Sequence, residues 1–443
     1  MEVVHPRCAG MDISKTDAKV CVRAQGAGRR KTSTEVTEWA AKTSKVMELA
    51  DYLLAQKVTC VVMEATGNYW KIFWHLLTGA GLEVVLANAA RVRQIPGKKT
   101  DIADCVWLAD LCAHGLVAAS FVPPAPVAQL KDLVRARAKY AKVAGQEAQR
   151  LQDVLESAGV KLSCAVTDIM GVSGRRMVEA LIAGEGDPLK LARLGERNLK
   201  ASEEELAEAL TGRFSEHHAF LARTHLDTID HLRGKAAALD ARIDAFFDPD
   251  CEIPAGGSGA GLSREEREEW RSKRELLQTV PGVSETVAEQ ILAETGPDMS
   301  VFASPKHLAS WAGVAPGMNQ SAGRAKPTKA KKGDKHLKGA LGVAALSVAR
   351  HPGTFLHSRY RRVCARQGKM KALVAVERSM VVSIWHILSK GEPYRELGAD
   401  YYLRRRPGAA IRKAVDNLRR LGFEVDVNDG EAPTAVLTPV PLG

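Results

Sequence analysis

Two aspartates stand three residues apart at the start of an apolar segment. Asp101 and Asp104 precede the run Val106 to Leu111, and this pattern predicts a helix. Residues three apart lie on the same face of a helix, so we expect the two carboxylates to point the same way. Two like charges that close repel each other unless a cation neutralises them. The pair therefore predicts a bound cation.

Two more acidic residues belong to apolar, strand-like segments upstream. Asp12 lies in the segment Ala9 to Lys15, and Glu64 directly follows the apolar run Val58 to Met63. If these two strands lie side by side, both carboxylates can converge with the helical pair on one metal site. A single acid is more often a helix cap or a surface residue. Two acids at strand ends together with the helical pair favour a functional site.

A serine far along the chain has the surroundings of a nucleophile. Ser321 stands in a glycine-flanked loop, residues 313–324, and is followed by lysines at positions 326, 329, 331, 332, 335 and 338. A serine that attacks a phosphodiester needs an exposed hydroxyl and cations that stabilise the developing charge. The sequence offers both, although a serine in a polar turn is usually only a turn residue.

The order of predicted elements in residues 1–120 indicates an α/β domain. Three strands are followed by a helix, a strand, a helix, a strand and a last helix. This is the order of a ribonuclease H-like (RuvC-like) domain. The fold class predicted for the whole chain is therefore α/β for this part and mainly α for the rest.

The rest of the chain is predicted to have three parts. Residues 121–275 are a helical region whose near-heptad apolar seam favours a coiled-coil arm or a helix bundle. Residues 276–400 are a mainly helical domain with a helix-hairpin-helix around Pro281-Gly282-Val283 and the serine loop. Glycine tolerates a positive φ, which a tight hairpin of this kind needs. Residues 401–443 are a basic tail that contains proline.

The sequence predicts two helical segments in the middle region. Residues 127–157 form one long helix whose polar face includes Lys131, Arg135 and Arg137. This basic face could follow a phosphate backbone or be an ordinary solvated face. Residues 187–247 are predicted to be helical throughout.

The charge balance indicates a polyanionic partner. The 443 residues carry a net charge of +11, and the pI is about 9.2, which favours nucleic acid over a membrane surface. We find no apolar run long enough to span a bilayer and expect no membrane partner. The eight cysteines form no Cys-x-x-Cys pair, which argues against a zinc or redox motif. We expect a protein of the cytoplasm that associates with the nucleoid.

The acidic motifs resemble those of a known family. Met11 to Lys15, Met63 to Tyr69 and Lys99 to Asp104 are similar to the RuvC-like half of the DEDD transposases. These enzymes are insertion-sequence recombinases associated with a bridge RNA, and they are relatives of the Piv-type DNA invertases. The resemblance implies catalytic, metal-binding roles for four residues, with Mg²⁺ or Mn²⁺ as the metal: Asp12, Glu64, Asp101 and Asp104.

The C-terminal half of the same family is also similar. Gly313 to Pro316, Ser321 to Gly323 and Lys332 to Asp334 match its motifs, which implies that Ser321 is the catalytic serine. Ala322 lies between Ser321 and Gly323 and departs from the family's Ser-Gly turn. The resemblance covers residues 10–120 and 275–395 well, and the middle only in its helical character.

The resemblance implies a site-specific DNA recombinase that cleaves and exchanges strands of donor and target DNA. It also implies a guide (bridge) RNA and a homo-oligomer, a dimer or a tetramer, on DNA. One alternative is a RuvC-like junction-resolving endonuclease that uses metal-activated water, in which Ser321 is incidental. A second alternative is a non-enzymatic scaffold that binds DNA or RNA.

Overall fold

The structure is a computed structural model that describes most of the chain. The described residues are 2–26, 31–64, 67–87, 101–196, 199–251, 262–317, 320–321, 324–325, 332–421, 423–428 and 434–439. Within these ranges only the backbone is described for residues 101–103, 320–321, 325, 424, 426–428 and 434–439. The chain separates into two units, Met1–Val122 and Pro123–Gly443. Lys326, Lys329 and Lys331 of the serine loop lie outside the described residues.

The first unit alternates strands and helices in the predicted order. Its elements are β1 (Arg7–Ile13), β2 (Asp17–Ala24), β3 (Ser33–Ala40), α1 (Thr43–Ala55), β4 (Cys60–Glu64), α2 (Trp70–Gly79), β5 (Glu83–Ala87) and α3 (Asp101–Ala113). The mixed α/β class predicted for this part of the chain is confirmed.

β1 is the central strand of a five-stranded sheet with the order β3-β2-β1-β4-β5. β1 and β3 pair with β2 in antiparallel fashion, while β4 is parallel to both β1 and β5. Parallel neighbours need a crossover connection, and α1 and α2 lie in the connections that lead into β4 and β5. Because β1 and β4 run in the same direction, both strands end at the same edge of the sheet.

Different helices cover the two faces of this sheet. Side chains alternate between the faces along a strand, and in β1 Met11 belongs to the core formed with α1 and α2. Cys8 points to the other face, where its Sγ donates a hydrogen bond to the carbonyl oxygen of Ala109 in α3 at 3.3 Å. Gly10 and Asp12 alternate with Met11 and share the face of Cys8. The Asp12 side chain therefore belongs to the face that α3 covers.

Gly10 allows α3 to lie directly on β1. A Cβ atom at this position would lie closer than 3.0 Å to the Cys105 carbonyl oxygen, the Ala109 nitrogen and the Leu108 carbonyl carbon. These are backbone atoms, which cannot swing aside as a side chain can. The absence of a side chain at Gly10 therefore sets the distance between the first half of α3 and the strand that carries Asp12.

The second unit is predominantly helical, which confirms the coarse prediction for the rest of the chain. Its elements are α4 (Ala125–Ser157), α5 (Leu162–Ala165), α6 (Val172–Ile182), α7 (Pro188–Ala192), α8 (Glu203–Leu210), α9 (Glu216–Phe247), α10 (Arg264–Gln278), α11 (Glu285–Thr295), α12 (Pro305–Trp311), β6 (Gln320–Ser321), β7 (Arg324–Ala325), α13 (Lys335–Arg350), α14 (Phe355–Gln367), α15 (Lys369–Lys390), α16 (Tyr401–Arg405), α17 (Pro407–Arg420), β8 (Phe423–Asn428) and β9 (Thr434–Pro439).

The long helices α4 and α9 pack against each other in antiparallel fashion. Leu151 near the end of α4 shares a core with Leu226 near the start of α9 and with the short helices between them. Leu130 near the start of α4 shares a second core with Phe246 near the end of α9 and with the C-terminal helices. The helix pair thus connects two separate hydrophobic cores within this unit.

The prediction that residues 187–247 are helical throughout is wrong. The segment contains α7, α8 and α9, and each of these helices starts at its own N-cap residue. Asp187 accepts a hydrogen bond from the Leu189 N–H, and Ser202 accepts one from the Glu205 N–H. Ser215 caps α9 together with His218. Side chains that accept from the first free N–H groups fix where a helix starts, and helix propensity alone does not reveal such restarts.

The statement that no apolar run could span a bilayer needs correction for one helix. Among the described residues, α15 is long and apolar enough to do so by length and composition. In the folded chain Val376, Met380 and Ile384 of this helix are buried in the C-terminal core. A core helix of a folded domain passes the same composition test, and α15 is packed as one.

Candidate functional site

Asp12 and Glu64 come together because their strands are parallel neighbours in register. The recorded pairs run from Cys8 with Cys60 to Met11 with Met63, and Asp12 and Glu64 are the next residues of the two strands. Neighbouring strands in a sheet lie about 4.8 Å apart. Glu64 alternates with Met63, as Asp12 does with Met11, so both carboxylates belong to the face covered by α3. Both residues are half-buried.

The first turn of α3 brings the helical aspartates to the same edge of the sheet. Asp104 is half-buried and stands one turn before Leu108, which packs against the sheet side of the helix. The backbone of Asp101 begins α3, while its side chain lies outside the described residues. The helix is further attached to β2, where Arg23 Nε donates to Asp110 Oδ1 at 2.8 Å.

The electrostatics of Cys105 place this helical turn close to Asp12. Burial raises the pKa of the Cys105 thiol, the Asp12 carboxylate raises it further, and Lys19 lowers it. Cys105 directly follows Asp104 in α3, so the Asp12 carboxylate interacts electrostatically with a group in the first turns of the helix. The structure therefore brings Asp12, Glu64 and Asp104 to one edge of the first unit.

Sequence reasoning missed Lys19, which lies at this edge as well. It is the antiparallel register partner of Asp12 in β2, and it is half-buried. Its neighbour Cys21, two residues on, is buried against Cys105 and Ala109 of α3. The alternation along β2 was the available signal, because it puts residues 19 and 21 on the same face. Lys19 supplies a positive charge beside the carboxylates.

The acids offer oxygen ligands, which Mg²⁺ and Mn²⁺ prefer. In the part of the chain that the structure describes, the ligand atoms of His5, Cys60 and Glu83 lie within 4.8 Å of one another. That second group lies at the opposite ends of β4 and β5 and offers nitrogen, sulfur and oxygen. Such a mixture suits zinc better than magnesium, so it is not the predicted magnesium site.

Ser321 lies in a short β-hairpin of the second unit. β6 and β7 are antiparallel, and Ser321 is the register partner of Arg324, which is exposed. Residues 322 and 323 of the turn and the Ser321 side chain lie outside the described residues. The two predicted motifs on either side of the hairpin meet each other. The Asp334 N–H donates to the Trp311 carbonyl oxygen at 3.0 Å, and Lys338 Nζ donates to the Gly313 carbonyl oxygen at 3.4 Å.

A tight turn joins α10 and α11 where the helix-hairpin-helix is expected. Gly282 has a φ of +84°, in the range that favours glycine. Val280 and Val283 on either side are buried in the C-terminal core. The Ser284 side chain caps α11 by accepting from the Val287 N–H. The turn is thus anchored on its inner side by the two buried valines.

Three residues of the basic face of α4 are engaged in ion pairs inside the unit. Glu294 in α11 is 2% exposed and pairs with both Lys131 and Arg135, in each case at 2.8 Å. Arg137 pairs with the buried Glu289 at 2.7 Å and with Asp240 at 2.9 Å. The sequence left two alternatives for this face, contact with a phosphate backbone or an ordinary solvated face. Neither describes these three cations, because they hold α4 against α9 and α11.

The comparisons with known proteins match both halves of the chain. A family model described as a transposase, of the DEDD type, matches residues 9–159, and a model of the transposase IS116/IS110/IS902 family matches residues 274–361. The pilin gene-inverting proteins of Moraxella bovis and Moraxella lacunata are each 29% identical to the chain over 132 residues. This alignment covers 28% of the chain and 40% of each relative, so the chain spans about two fifths of the length of these curated relatives.

The α/β unit with its acidic edge falls within the segment that matches the DEDD transposase model. Together the two models cover more than half of the sequence. The chain belongs to the IS110-type DEDD transposase family. The first match extends to the end of α4, beyond residue 120 where the sequence resemblance stops.

Proposed function

We propose that the protein is a site-specific DNA recombinase that cleaves and exchanges strands with a divalent metal, Mg²⁺ or Mn²⁺. The observation that carries this proposal is the parallel register that puts Asp12 beside Glu64, with Asp104 on the helix above them. The family match supports the DNA substrate, and the net charge of +11 is suited to it.

We infer that the first unit is a ribonuclease H-like domain, placed at residues 1–120. Its support is the strand order β3-β2-β1-β4-β5, with three antiparallel strands followed by two parallel ones. We retain residues 121–275 as a helical connection, 276–400 as the transposase domain with its helix-hairpin-helix, and 401–443 as the tail. Helix α10 runs through residues 275 and 276, so the proposed boundary falls inside a helix.

The proposed metal site consists of the four carboxylates of Asp12, Glu64, Asp101 and Asp104. They suit the site because they are oxygen ligands, and the described ones are half-buried at an open edge of the sheet. When bound, a pair of divalent ions would polarise the scissile phosphate and stabilise the attacking and leaving oxygens. Lys19, beside Asp12, is suited to hold a phosphate oxygen and to limit the repulsion among the acids.

Ser321 is the proposed nucleophile. Its Oγ attacks phosphorus and loses its proton to water, the phosphorus bond to the leaving deoxyribose oxygen breaks, and that oxygen takes up a proton. The product is a serine phosphodiester that the reverse attack by a new deoxyribose hydroxyl resolves. Arg324, exposed opposite Ser321 in the hairpin, is suited to contact the phosphate. The acids of the same or another subunit would act on the same strand.

The finer partners follow from the family resemblance. Exchange of strands needs several active sites at once, so we propose a homo-oligomer, a dimer or tetramer, on donor and target DNA. A guide RNA would choose the target by base pairing. The sequencing of nucleic acid that copurifies with active protein tests this point, and the absence of a discrete RNA would count against it.

A junction-resolving endonuclease is the second candidate. One observation favours it: three of the four acids meet within the first unit alone, and a metal-activated water could then hydrolyse DNA without Ser321.

Strand cleavage by Ser321→Ala and Asp12→Asn separates the two candidates. For a recombinase, both variants lose cleavage of labelled DNA, and only the wild type forms a covalent adduct between Ser321 and DNA. Full cleavage by Ser321→Ala, with none by Asp12→Asn, would establish the nuclease instead. Ser157→Ala and Asp51→Asn, both at exposed positions, are the matched controls.

A further inference from the structure

A cleft of about 320 Å³ lies between α14 and the segment that contains α16. Its lining is dominated by cations and one aromatic ring: Arg359, Arg362, Arg366, Arg405, Arg406 and Tyr402. All of these residues except Arg359 lie beyond residue 361, where the family match ends. The cleft is therefore largely built by a part of the chain that the comparisons leave without a role.

The two walls of the cleft are joined by specific contacts. Phe355 at the start of α14 packs on Tyr401 and Tyr402, with ring centroids 5.0 and 5.6 Å apart. The Phe355 N–H donates to Glu396 Oε1 at 2.7 Å, and Ser358 Oγ donates to the Ala399 carbonyl oxygen at 2.6 Å. These contacts hold α16 and the segment before it against α14.

The arginines of the cleft are not neutralised from within. In the portion of the chain that the structure describes, none of these five arginines forms an ion pair with a carboxylate. Arg359 donates to the Ala375 carbonyl and to the Tyr402 hydroxyl, and Arg362 stacks 4.5 Å from the centre of the Tyr402 ring. These contacts orient guanidinium groups without cancelling their charge. Nearby Arg404, by contrast, pairs with Asp400.

Such an arrangement is suited to a phosphate. Five like charges around one cleft repel each other, and an anion relieves that repulsion. The planar guanidinium group donates two parallel hydrogen bonds to phosphate oxygens. Arg359, Arg362 and Arg366 recur every three or four residues, so they form one stripe about 10 Å long on α14. That length exceeds one phosphate and suits successive phosphates of a chain.

We propose that this cleft binds the phosphodiester backbone of a nucleic acid. The inference rests on the proposed function only for its class of partner, since a DNA recombinase must hold nucleic acid away from its reacting bond as well. DNA and RNA present the same phosphodiester chemistry to the cleft. Which of the two occupies it is decided by the experiment.

The test compares two triple variants of the full-length protein. Arg362→Gln/Arg366→Gln/Arg405→Gln removes three charges from the cleft. Arg223→Gln/Arg233→Gln/Arg242→Gln removes three from exposed positions on α9 and is matched in charge. Fluorescence anisotropy measures binding of a labelled DNA duplex and of a labelled single-stranded RNA at several salt concentrations.

The cleft variant is expected to bind at least one of the two probes about tenfold or more weakly. The slope of log affinity against log salt should also flatten by about 1 for each arginine that contacts a phosphate. Weakening with the duplex alone assigns the cleft to DNA, and weakening with the RNA alone assigns it to RNA. Equal affinity of the cleft variant and the α9 variant for both probes would overturn the proposal.

Three further measurements keep the result independent of folding and of catalysis. Arg362→Lys/Arg366→Lys/Arg405→Lys keeps the charge and should preserve most of the salt slope, and an unchanged thermal midpoint shows that each variant is folded. Asp51→Asn, at an exposed position of α1, should bind both probes like wild type. A failure of DNA cleavage therefore contradicts the proposed function alone, while a failure of these binding differences contradicts the cleft alone.

Discussion

At the scale of single residues, the acidic edge depends on a residue with no side chain. Gly10 lets the backbone of α3 approach β1, and Asp12, two residues further, shares its face of the sheet. Sequence reasoning found Asp12, Glu64, Asp101 and Asp104 because acids at the ends of apolar segments are unusual. It gave no role to Gly10 or Lys19, because their importance arises only once β1, β2 and α3 are packed together.

Gly10→Ala is expected to destabilise the protein by about 1–3 kcal/mol, since the new methyl group overlaps backbone atoms of α3 and forces the helix away. Denaturant unfolding measures this change, and metal-dependent DNA cleavage should fall with it. Gly79→Ala is the matched control in the same unit, because a Cβ there meets nothing within 4 Å. Equal stability of the two variants would show that α3 does not lie as closely on β1 as described.

Glu377 is a buried acid whose charge is poorly compensated. It is 6% exposed, and its Oε2 atom has no hydrogen-bond partner among the described residues. Burial raises the pKa of Glu377, and Lys338 only partly lowers it. A raised pKa in the folded state means that the stabilising contribution is present below the ordinary glutamate pKa and is lost as the pH rises through the folded value.

Glu377→Gln should therefore be more stable than wild type at about pH 8, by about 1–2 kcal/mol, and nearly equal to it at about pH 4. The measurement is the free energy of unfolding of both proteins across this pH range. Glu208→Gln, at an exposed position, should show no such trend. A difference between Glu377→Gln and wild type that stays constant with pH would contradict the account of a desolvated carboxylate.

At the scale of elements, the sequence was most informative where hydrophobic periodicity is strong. The order of the strands and helices of the first unit is predicted correctly, and the long helix predicted at residues 127–157 is observed as α4 at Ala125–Ser157. The error at residues 187–247 arose because α7, α8 and α9 all have good helix formers, while the capping side chains that separate them are short local signals. The pairing of α4 with α11 was also unpredictable, since it joins residues more than 150 positions apart.

Glu294→Gln tests the ion pairs that join α4 to α11. Glu294 is buried and accepts from both Lys131 and Arg135, so its loss leaves two cations without their partner. We expect a loss of about 1–3 kcal/mol in the free energy of unfolding, less than for a fully buried pair because Arg135 is partly exposed. Glu268→Gln, on the exposed side of α10, is the control and should have little effect.

At the scale of the whole molecule, the basic residues fall into two groups, those paired with buried acids and those that remain unneutralised in the cleft. Part of the basic face of α4 is paired with buried acids, so net charge alone overstates the surface available to nucleic acid. The cleft beside α16 retains its charge, and its residues come from two segments that are distant in the sequence, α14 and the start of the basic tail. Composition predicted the class of partner, but only the packing of the tail against α14 locates a surface for it.

The roles of Ser321 and the acids illustrate the remaining gap. Each was predicted from local residues and a family resemblance, whereas the proposed joint action on one DNA strand would depend on the arrangement of the two units and of the proposed subunits. Local sequence patterns carry little information about such an arrangement, because it is set by long-range contacts and by the DNA itself. The central claim that can be tested within the first unit is narrower: Asp12, Glu64 and Asp104 serve one metal site.

Binding of Mn²⁺, followed by electron paramagnetic resonance, tests that claim most directly. We predict that Asp12→Asn, Glu64→Gln and Asp104→Asn each weaken Mn²⁺ binding by about tenfold or more, because each removes an anionic oxygen ligand from the same ion. Asp51→Asn, at an exposed position of α1, should bind Mn²⁺ like wild type. Undiminished Mn²⁺ binding by folded Asp12→Asn and Glu64→Gln would contradict the account.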